Sequence, residues 1–472
     1  MRYDAVIIGS GPNGLSAAIY LQQRGLSTLL LEKAAMAGGS TRTEEATLPG
    51  YLHDIGSAVH PLAAASPYMS TLPLKDFGLE WVYPELPLVH PLPDGRALGL
   101  SQSLEETAGM LGRDAKAYEK LVGPIAKNWD RLGGDLLAPL SWPANPFLLA
   151  RFGLRALWPA SLLSSKLFSE ESTRTLFFGL AAHSGLPMTA TASSAFGLVL
   201  AATAHSVGWP FPKGGAQAIP KALTAYYSSL GGEIRCDFQV ESFFDIPTAK
   251  AYLFDLTPAQ LLKIRGLNLS LRYREKLSDF RYGPGIFKID FALSDPIPWK
   301  NDACRKAGTI HIGASADEIA ESEAGIAEGI EPDKPYMILA QPTLFDSSRA
   351  PQGKHIAWVY CHVPNGSLKD MTEPIIRQIE RLAPGFREVI IAQSCRNSFD
   401  MEQWNANLVG GDVNGGLQDI RQLFFRPVIK AKPYRSSQPD VYLCSSSTPP
   451  GGGVHGMCGF HAAKTAFSDH FK

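Results

Sequence analysis

The stretch YDAVIIGSGPNGLSAAIYLQQRGLSTLLLEK, residues 3–33, decides the fold. It begins with a β-branched, apolar strand pattern and then turns through the glycines of 9–14. A helical pattern follows, which Gly25 ends, and a second strand pattern occupies 28–31. A strand, a glycine turn, a helix and a second strand within about 30 residues predict a βαβ unit, and therefore a Rossmann fold with a parallel sheet.

The glycine turn has the spacing of a dinucleotide-binding motif, G-x-G-x-x-G. Gly9 permits the tight turn, Gly11 lets a pyrophosphate approach the backbone, and Gly14 allows the helix to pack closely on the strand. The first N–H groups of the helix attract phosphate. Glu32 follows the second strand and is placed to accept hydrogen bonds from ribose hydroxyls, which disfavours the 2′-phosphate of NADP. The motif alone does not separate NAD from FAD.

The composition is that of a globular protein without a strong charge bias. The 472 residues are 45% hydrophobic and 19% charged, with a net charge of -1, and their number predicts two or three domains. A nucleic-acid partner is not expected, because such proteins usually carry a basic surplus. The six cysteines form no Cys-x-x-Cys pair and no zinc-binding spacing, so neither a disulfide reductase centre nor a metal site is predicted.

Localisation signals are lacking in the sequence. No basic segment followed by an apolar stretch precedes the first strand, so we expect no cleaved secretory signal. No run reaches the ~18 uncharged apolar residues that a membrane-spanning helix needs. We therefore expect a cytoplasmic protein with free thiols.

Later segments predict a second structural unit. Three strand patterns, at 286–293, 336–343 and 355–363, look half-buried and indicate an antiparallel sheet distinct from the βαβ unit. A strand is also predicted near 234–240, and a final helix from Val454 to Phe467.

Several further motifs carry a family resemblance. They are Gly38-Gly39-Ser40-Thr41-Arg42-Thr43, Pro49-Gly50-Tyr51, Asp54-Ile55-Gly56-Ser57, Phe211-Pro212-Lys213-Gly214-Gly215 and Pro450-Gly451-Gly452-Gly453-Val454-His455-Gly456. With them the chain resembles, over nearly its whole length, the FAD-dependent phytoene desaturase and carotenoid isomerase family, which is related to the flavin amine oxidases. The phrase YLCSSSTPPGGGVHGMCG at 442–459 is similar to one subgroup of that family. Ser40 departs from the pattern, since many relatives carry arginine there.

The resemblance implies an α/β fold with two parts. One is a glutathione-reductase-type Rossmann domain with a parallel central sheet, which would bind FAD and consist of 1–75, 206–265 and 430–472. The other is an α+β substrate domain with an antiparallel sheet and a helical cap, consisting of 76–205 and 266–429. The usual β-hairpin after Val240 looks trimmed in this chain.

The resemblance also implies FAD as the cofactor and assigns residues to it. The diphosphate and ribose would be bound by the glycine turn and the end of the second strand: Gly9, Gly11, Pro12, Asn13, Gly14, Glu32 and Lys33. The path to the flavin ring would be lined by Gly38, Gly39, Ser40, Thr43, Gly56 and Ser57. The backbone of Val240 would face the adenine. The last loop and helix would reach the pyrimidine side of the flavin through Gly452, Gly453, Val454 and His455, where a helix N-terminus stabilises the negative charge of reduced flavin.

No catalytic residue can be assigned from the sequence. Six side chains are candidates to face the flavin ring: His205, Trp209, Lys288, Tyr360, His362 and His455. Each has a structural explanation as well. His455 is the best placed, because it lies in the loop that closes the flavin site, and Lys288 is expected to extend to solvent along its strand.

The segment 136–168 contains no acidic residue. It is rich in aromatic, aliphatic and basic residues. Prolines divide it into short pieces. This composition suits a surface that dips into lipid or admits an apolar substrate. A helical cap with one buried face explains it equally well.

Four functions are compatible with these features. The first is an FAD-dependent oxidoreductase that takes hydride from an apolar substrate, with isoprenoids as candidates, and passes electrons to O₂, a quinone or another acceptor rather than to NAD(P). The second is a redox-neutral, flavin-dependent double-bond isomerase, and the third an amine oxidase. The fourth is a flavoprotein that acts only as a binding or regulatory partner. The first also predicts peripheral contact with a membrane.

Overall fold

The computed structural model describes residues 3–472 and contains two main sheets and a helical cap. Short 3₁₀ turns connect several of its elements. The strands, in chain order, are β1 Ala5–Ile8, β2 Thr28–Leu31, β3 Thr43–Glu44, β4 His53–Asp54, β5 Trp81–Val82, β6 Leu86–Pro91, β7 Ala97–Leu100, β8 Phe211–Pro212, β9 Glu233–Arg235, β10 Ala251–Phe254, β11 Gly285–Leu293, β12 Ala307–Ile312, β13 Met337–Ala340, β14 His355–Val363, β15 Ile390–Arg396 and β16 Val441–Leu443.

The α-helices surround these sheets and connect their strands. In chain order they are α1 Pro12–Gln22, α2 Pro61–Ala64, α3 Leu104–Met110, α4 Ala115–Ala126, α5 Trp129–Leu136, α6 Pro146–Ala156, α7 Ala160–Leu167, α8 Glu171–Ala182, α9 Ser193–Ser206, α10 Ala218–Ser229, α11 Pro258–Leu262, α12 Leu271–Ser278, α13 Ala316–Ala327, α14 Thr372–Leu382, α15 Phe386–Val389, α16 Ser398–Trp404, α17 Ile420–Phe424 and α18 Met457–His470.

The first sheet is parallel throughout, with the order β16-β10-β1-β2-β9. Its three central strands are buried on both faces, which explains why their sequences are continuous apolar runs rather than alternating ones. The predicted βαβ unit is therefore confirmed as β1, α1 and β2. The sheet takes its strands from three separate parts of the chain, but the domain boundaries stated above remain a prediction.

The second sheet has the order β15-β11-β14-β13-β12-β6-β7. It is antiparallel except where β12 and β6 run parallel, so the predicted antiparallel sheet is confirmed with one exception. One face packs against α14 through apolar residues such as Phe287, Ile289 and Ile375. The other face points toward the parallel sheet and the cap. Because both faces are covered, every residue of β11 is buried, and the prediction of a half-buried strand was wrong there.

The predicted helical cap is present and has both a buried and an exposed apolar surface. Helices α6 and α7 occupy 146–167, between the prolines that divide the segment. Phe152 packs into the core, whereas Trp142 and Phe147 are each 90% exposed. The segment therefore has the buried face expected of a helical cap, whereas its contact with lipid stays a prediction.

Several boundaries differ from the prediction; strand β13, for example, ends at Ala340 instead of at 343. Strand β9 ends at Arg235, because Asp237 adopts a left-handed φ of 54° and turns the chain. The N–H of Phe238 then donates to the carbonyl of Glu32, so Val240 lies in a loop beyond the strand. The final helix starts at Met457 instead of Val454, because Gly456 has a φ of +69° and keeps the preceding residues in a loop.

Candidate cofactor and substrate site

One cavity of about 1080 Å³ connects the glycine turn with the helical cap. Its first end is lined by Gly9, Gly11 and Glu32 at the carboxyl edge of the parallel sheet. Its far end is lined by apolar side chains of the cap, including Phe152 and Val199. The carboxyl edge of a parallel sheet is where dinucleotides bind in this fold, so the position agrees with the sequence motif.

The glycine turn is packed so tightly that side chains would not fit. A Cβ on Gly14 would lie 2.0 Å from the carbonyl oxygen of Gly9, and one on Gly39 would lie 2.9 Å from the Cα of Gly11. Helix α1 starts at Pro12 with no side-chain cap and no acidic residue in its first turn. The N–H groups of Gly11 and Asn13 have no hydrogen-bond partner among residues 3–472. These unpaired donors at a helix N-terminus fit a diphosphate group.

Glu32 is held in place by the glycine turn. One of its carboxylate oxygens accepts hydrogen bonds from the N–H of Ser10 at 2.9 Å and the hydroxyl of Ser10 at 2.5 Å. The other oxygen accepts from the N–H of Ala34 at 2.8 Å. The Glu32 side chain lines the cavity, and these hydrogen bonds fix the orientation of its carboxylate before a ribose hydroxyl binds.

Asp255 is a second acid at this end, and it was not among the residues predicted from the sequence. It directly follows β10, and its Oδ2 atom accepts a hydrogen bond from the N–H of Gly14 at 2.9 Å. Burial raises the pKa of its carboxyl to about 7, while the bond from Gly14 lowers it and the charge of Glu32 raises it further. Its position immediately after an apolar strand pattern was the available signal, since the end of a parallel strand points to the ligand edge.

The middle of the cavity joins the two parts of the molecule. The Asn405 amide donates to the hydroxyl of Ser40 at 2.8 Å, and both residues line the cavity. The Trp358 indole N–H donates to the carbonyl of Gly56 at 3.0 Å. Ser40 and Gly56 thus line the cavity next to Asn405 and Trp358, and the resemblance implies that Gly56 approaches the flavin ring.

Fourteen of the eighteen residues predicted to bind the cofactor line the cavity. They are Gly9, Gly11, Pro12, Asn13, Glu32, Lys33, Gly39, Ser40, Gly56, Ser57, Val240, Gly452, Gly453 and Val454. The other four, Gly14, Gly38, Thr43 and His455, lie behind this wall. The hydroxyl of Thr43, for example, donates to Asp54 at 2.7 Å.

His455 is buried behind the last loop rather than facing the cavity. Its Nδ1 atom accepts a hydrogen bond from the N–H of Met457 at 3.0 Å, and burial lowers the pKa of the ring to about 4. Because α18 starts at Met457, the loop 452–454 and not the helix end lines the cavity.

Two of the six catalytic candidates, Trp209 and Tyr360, line the cavity. His205 is instead bound to the hydroxyl of Tyr118 at 2.8 Å, and His362 to Glu323 at 3.0 Å. His183 lines the cavity as well, although the sequence analysis did not select it.

The expectation that Lys288 extends to solvent was wrong. Its side chain is 1% exposed and forms an ion pair with Asp290, two residues along the same strand. Its ammonium lies 5.8 Å from the centre of the Trp358 ring. The strand places both charges on one buried face, where His53 of β4 and Arg396 of β15 also lie near Asp290, so the charges are paired within the protein.

The class that the fold and the site define is a Rossmann-type dinucleotide-binding oxidoreductase with a second, mainly antiparallel sheet. Residues 7–72 match the family model of the NAD(P)-binding Rossmann-like domain. The mouse protein called pyridine nucleotide-disulfide oxidoreductase domain-containing protein 2 is 26% identical over 99% of this chain and 94% of its own length. A lycopene-forming phytoene desaturase from Pseudescherichia vulneris is 25% identical over 96% of each chain.

Solved structures with the same fold include two oxidoreductases. One, from Methanosarcina mazei, has a TM-score of 0.66 and 15% identity, covering 99% of this chain and 100% of its own. Putrescine oxidase has a TM-score of 0.63 and 17% identity, covering 99% of both chains.

Together these comparisons confirm the predicted resemblance and the fold class. They support an FAD-dependent oxidoreductase of the desaturase type, and the solved structures add that the fold is shared. All six cysteines are free thiols in the structure. Within residues 3–472, each helix is too short or too polar to cross a bilayer.

Proposed function

We propose that this protein removes a hydride from an apolar substrate, with isoprenoids as the leading candidates. The observation that carries the proposal is the continuous cavity, which leads from the phosphate-binding turn to an apolar chamber under the cap. When bound, FAD would supply the acceptor for the hydride. The cytoplasmic location expected from the sequence remains part of this proposal.

The chain's own contribution is to hold the substrate and exclude water. Phe196, Val199 and Leu200 of α9 line the chamber from the cap, and Ile338 and Tyr360 line it from the second sheet. Apolar walls of this kind bind a hydrocarbon by removing its surface from water. They also keep bulk water away from the reacting carbon atom.

The cap supplies an entrance that fits contact with a lipid surface. Leu149 and Phe152 of α6 line the cavity, whereas Leu154 on the same helix is 72% exposed. Trp142 and Phe147 are exposed nearby, and Arg151 is also exposed. A helix with apolar side chains in solvent and basic residues beside them is suited to an anionic membrane surface. We infer that the substrate enters along α6 from a membrane.

The first experiment identifies the cofactor. Protein purified from a flavin-replete host should be yellow, and mass spectrometry should find FAD, with apolar molecules among the co-purified lipids. A colourless preparation that stays colourless after reconstitution with FAD would contradict the proposal.

A second experiment distinguishes oxidation from the rival functions. Co-purified apolar molecules are mixed with the holoenzyme without oxygen, and flavin absorbance and products are followed. Lasting bleaching is expected for net oxidation, whereas product without lasting bleaching would identify an isomerase. Peroxide formed in air from polyamines or aromatic amines would identify an amine oxidase instead. A flavoprotein without turnover, whose partners in pull-downs survive mutation of the flavin site, would be a binding protein.

A further inference from the structure

Three histidines lie together at the apolar end of the cavity, two of them buried and His183 half-buried. His183 directly follows α8 and lines the cavity. Its Nε2 atom lies 2.8 Å from the Nε2 atom of His311 on β12, so the two rings share a hydrogen bond. His90 on β6 is next to them, with its ring centre 6.3 Å from that of His311. Within residues 3–472, no group of three or more potential ligands has the arrangement of a metal site.

Their protonation follows from their partners. Nε2 of His90 lies 2.7 Å from the carbonyl oxygen of Gly313, and because a carbonyl only accepts, this nitrogen carries the proton. Burial lowers the pKa of His90 to about 4 and that of His183 to about 3. At neutral pH each ring is therefore uncharged and has one donor and one acceptor.

Gly179 of α8 has no side chain, and this leaves room for the Nδ1 atoms of both His311 and His90 beside it. A Cβ on this residue would lie 2.8 Å from Nδ1 of His311 and 3.1 Å from Nδ1 of His90. Neither Nδ1 atom has a hydrogen-bond partner among residues 3–472. His311 thus has polar neighbours on both sides, His183 on one and His90 on the other.

The arrangement leaves His183 with one free nitrogen. Its Nε2 atom is turned to His311, and within residues 3–472 this is the one side-chain hydrogen bond that its ring makes. Trp209 and Val199 line the same chamber, so a free polar nitrogen is exceptional there. The hydroxyl of Thr309 also lines the cavity and is buried without a partner among the described residues. An unpaired polar atom in an apolar pocket costs free energy unless a ligand pairs with it.

We propose that Nδ1 of His183 binds a single hydroxyl or carbonyl oxygen on an otherwise apolar substrate. The inference rests on the proposed function and narrows it from hydrocarbons to apolar alcohols, aldehydes and ketones. Nδ1 donates to a carbonyl when His311 donates to Nε2, and it accepts from a hydroxyl when His311 accepts. His311 is a positioning residue, because its tautomer sets which of these roles His183 takes.

The test compares three probes on the purified holoenzyme: n-dodecane, 1-dodecanol and 2-dodecanone. Binding is measured by quenching of tryptophan fluorescence, since Trp209 and Trp358 line the cavity, and separately by shifts in flavin absorbance. The matched variants are His183→Asn and His183→Leu, which have the same shape, but only the asparagine keeps a polar group near the position of Nδ1.

We expect His183→Leu to bind 1-dodecanol and 2-dodecanone about ten-fold more weakly than wild type, the usual effect of one lost hydrogen bond. Its affinity for n-dodecane should change less than two-fold, and His183→Asn should keep most of the affinity for the oxygenated probes. His205→Phe removes a half-buried histidine outside the cavity and should leave all three affinities unchanged.

Equal losses for all three probes in His183→Leu, or no binding of the oxygenated probes by wild type, would overturn the inference. Neither result touches the proposed function, which the flavin content and n-dodecane binding test by themselves.

Discussion

The Asp255 carboxyl group lies against the glycine turn, and its replacement by asparagine measures how this acid affects the cofactor site. Oδ2 accepts the N–H of Gly14 at 2.9 Å, and a Cβ on Gly11 would lie 2.8 Å from the same oxygen. The amide side chain of an Asp255→Asn variant would keep the shape and an oxygen acceptor for that N–H while removing the charge. We therefore predict that this substitution stabilises the protein, increasingly so as the pH rises.

The magnitude follows from the pKa of the carboxyl, which is about 7 in the folded protein against an ordinary value of 3.8. A folded-state pKa that is raised destabilises the native state once the pH exceeds the ordinary value. The cost grows between pH 3.8 and 7, and it is complete above pH 7. The difference between the two pKa values corresponds to about 4 kcal/mol at pH 8, of which ~2 kcal/mol is already present at pH 5.

The assay is thermal unfolding of both proteins between pH 5 and pH 8, without and with added FAD. For a chain of 472 residues, an unfolding entropy of about 2.1 cal/mol/K per residue makes 1 kcal/mol worth roughly 1 °C in Tm. The Tm of Asp255→Asn should exceed that of wild type by ~2 °C at pH 5 and ~4 °C at pH 8. With FAD the advantage at pH 8 should persist, since a neutral amide does not repel a diphosphate.

The control is Asp279→Asn, because this aspartate is exposed. Its Tm should follow that of wild type at every pH. If the Tm difference between Asp255→Asn and wild type were the same at pH 5 and pH 8, the argument from burial of this carboxyl would be refuted.

Three further predictions concern the glycine turn, a buried ion pair and the cap. Gly14→Ala should abolish FAD retention, because its Cβ would lie 2.0 Å from a backbone oxygen. The control Gly109→Ala should retain FAD, because its Cβ would have no neighbour within 4 Å. Flavin absorbance after gel filtration measures FAD retention in both variants. Arg349→Met should lower the free energy of unfolding by ~3–5 kcal/mol in urea, since it leaves the Asp54 carboxylate buried without its 2.9 Å partner, and adding Asp54→Asn should restore part of the loss. Trp142→Asp should reduce sedimentation with anionic vesicles several-fold at unchanged Tm, and undiminished sedimentation would exclude this entrance surface.

Features with a local signal were predicted correctly. The βαβ unit needs only short apolar runs and glycines at fixed positions, and the structure has β2 at the predicted residues 28–31. The strand at 355–363 was also predicted to the residue, because β-branched and aromatic residues cluster there between turns. Errors came where one residue's backbone decided the boundary. The left-handed conformations of Asp237 and Gly456 ended a strand early and delayed a helix.

The amino-acid sequence alone was sufficient for the dinucleotide fold, the FAD-type resemblance and the apolar character of the cap. These properties depend on spacing and composition within short segments, where each residue's neighbours along the chain are its neighbours in space. Only the tertiary structure could bring Asp255 to the glycine turn, 241 positions from Gly14, or His183 to His311, 128 positions away. It also buried Lys288 beside Asp290. Which polar groups lose water, and what they pair with, depends on how the two sheets and the cap pack together, and the local sequence pattern contains no information about that packing.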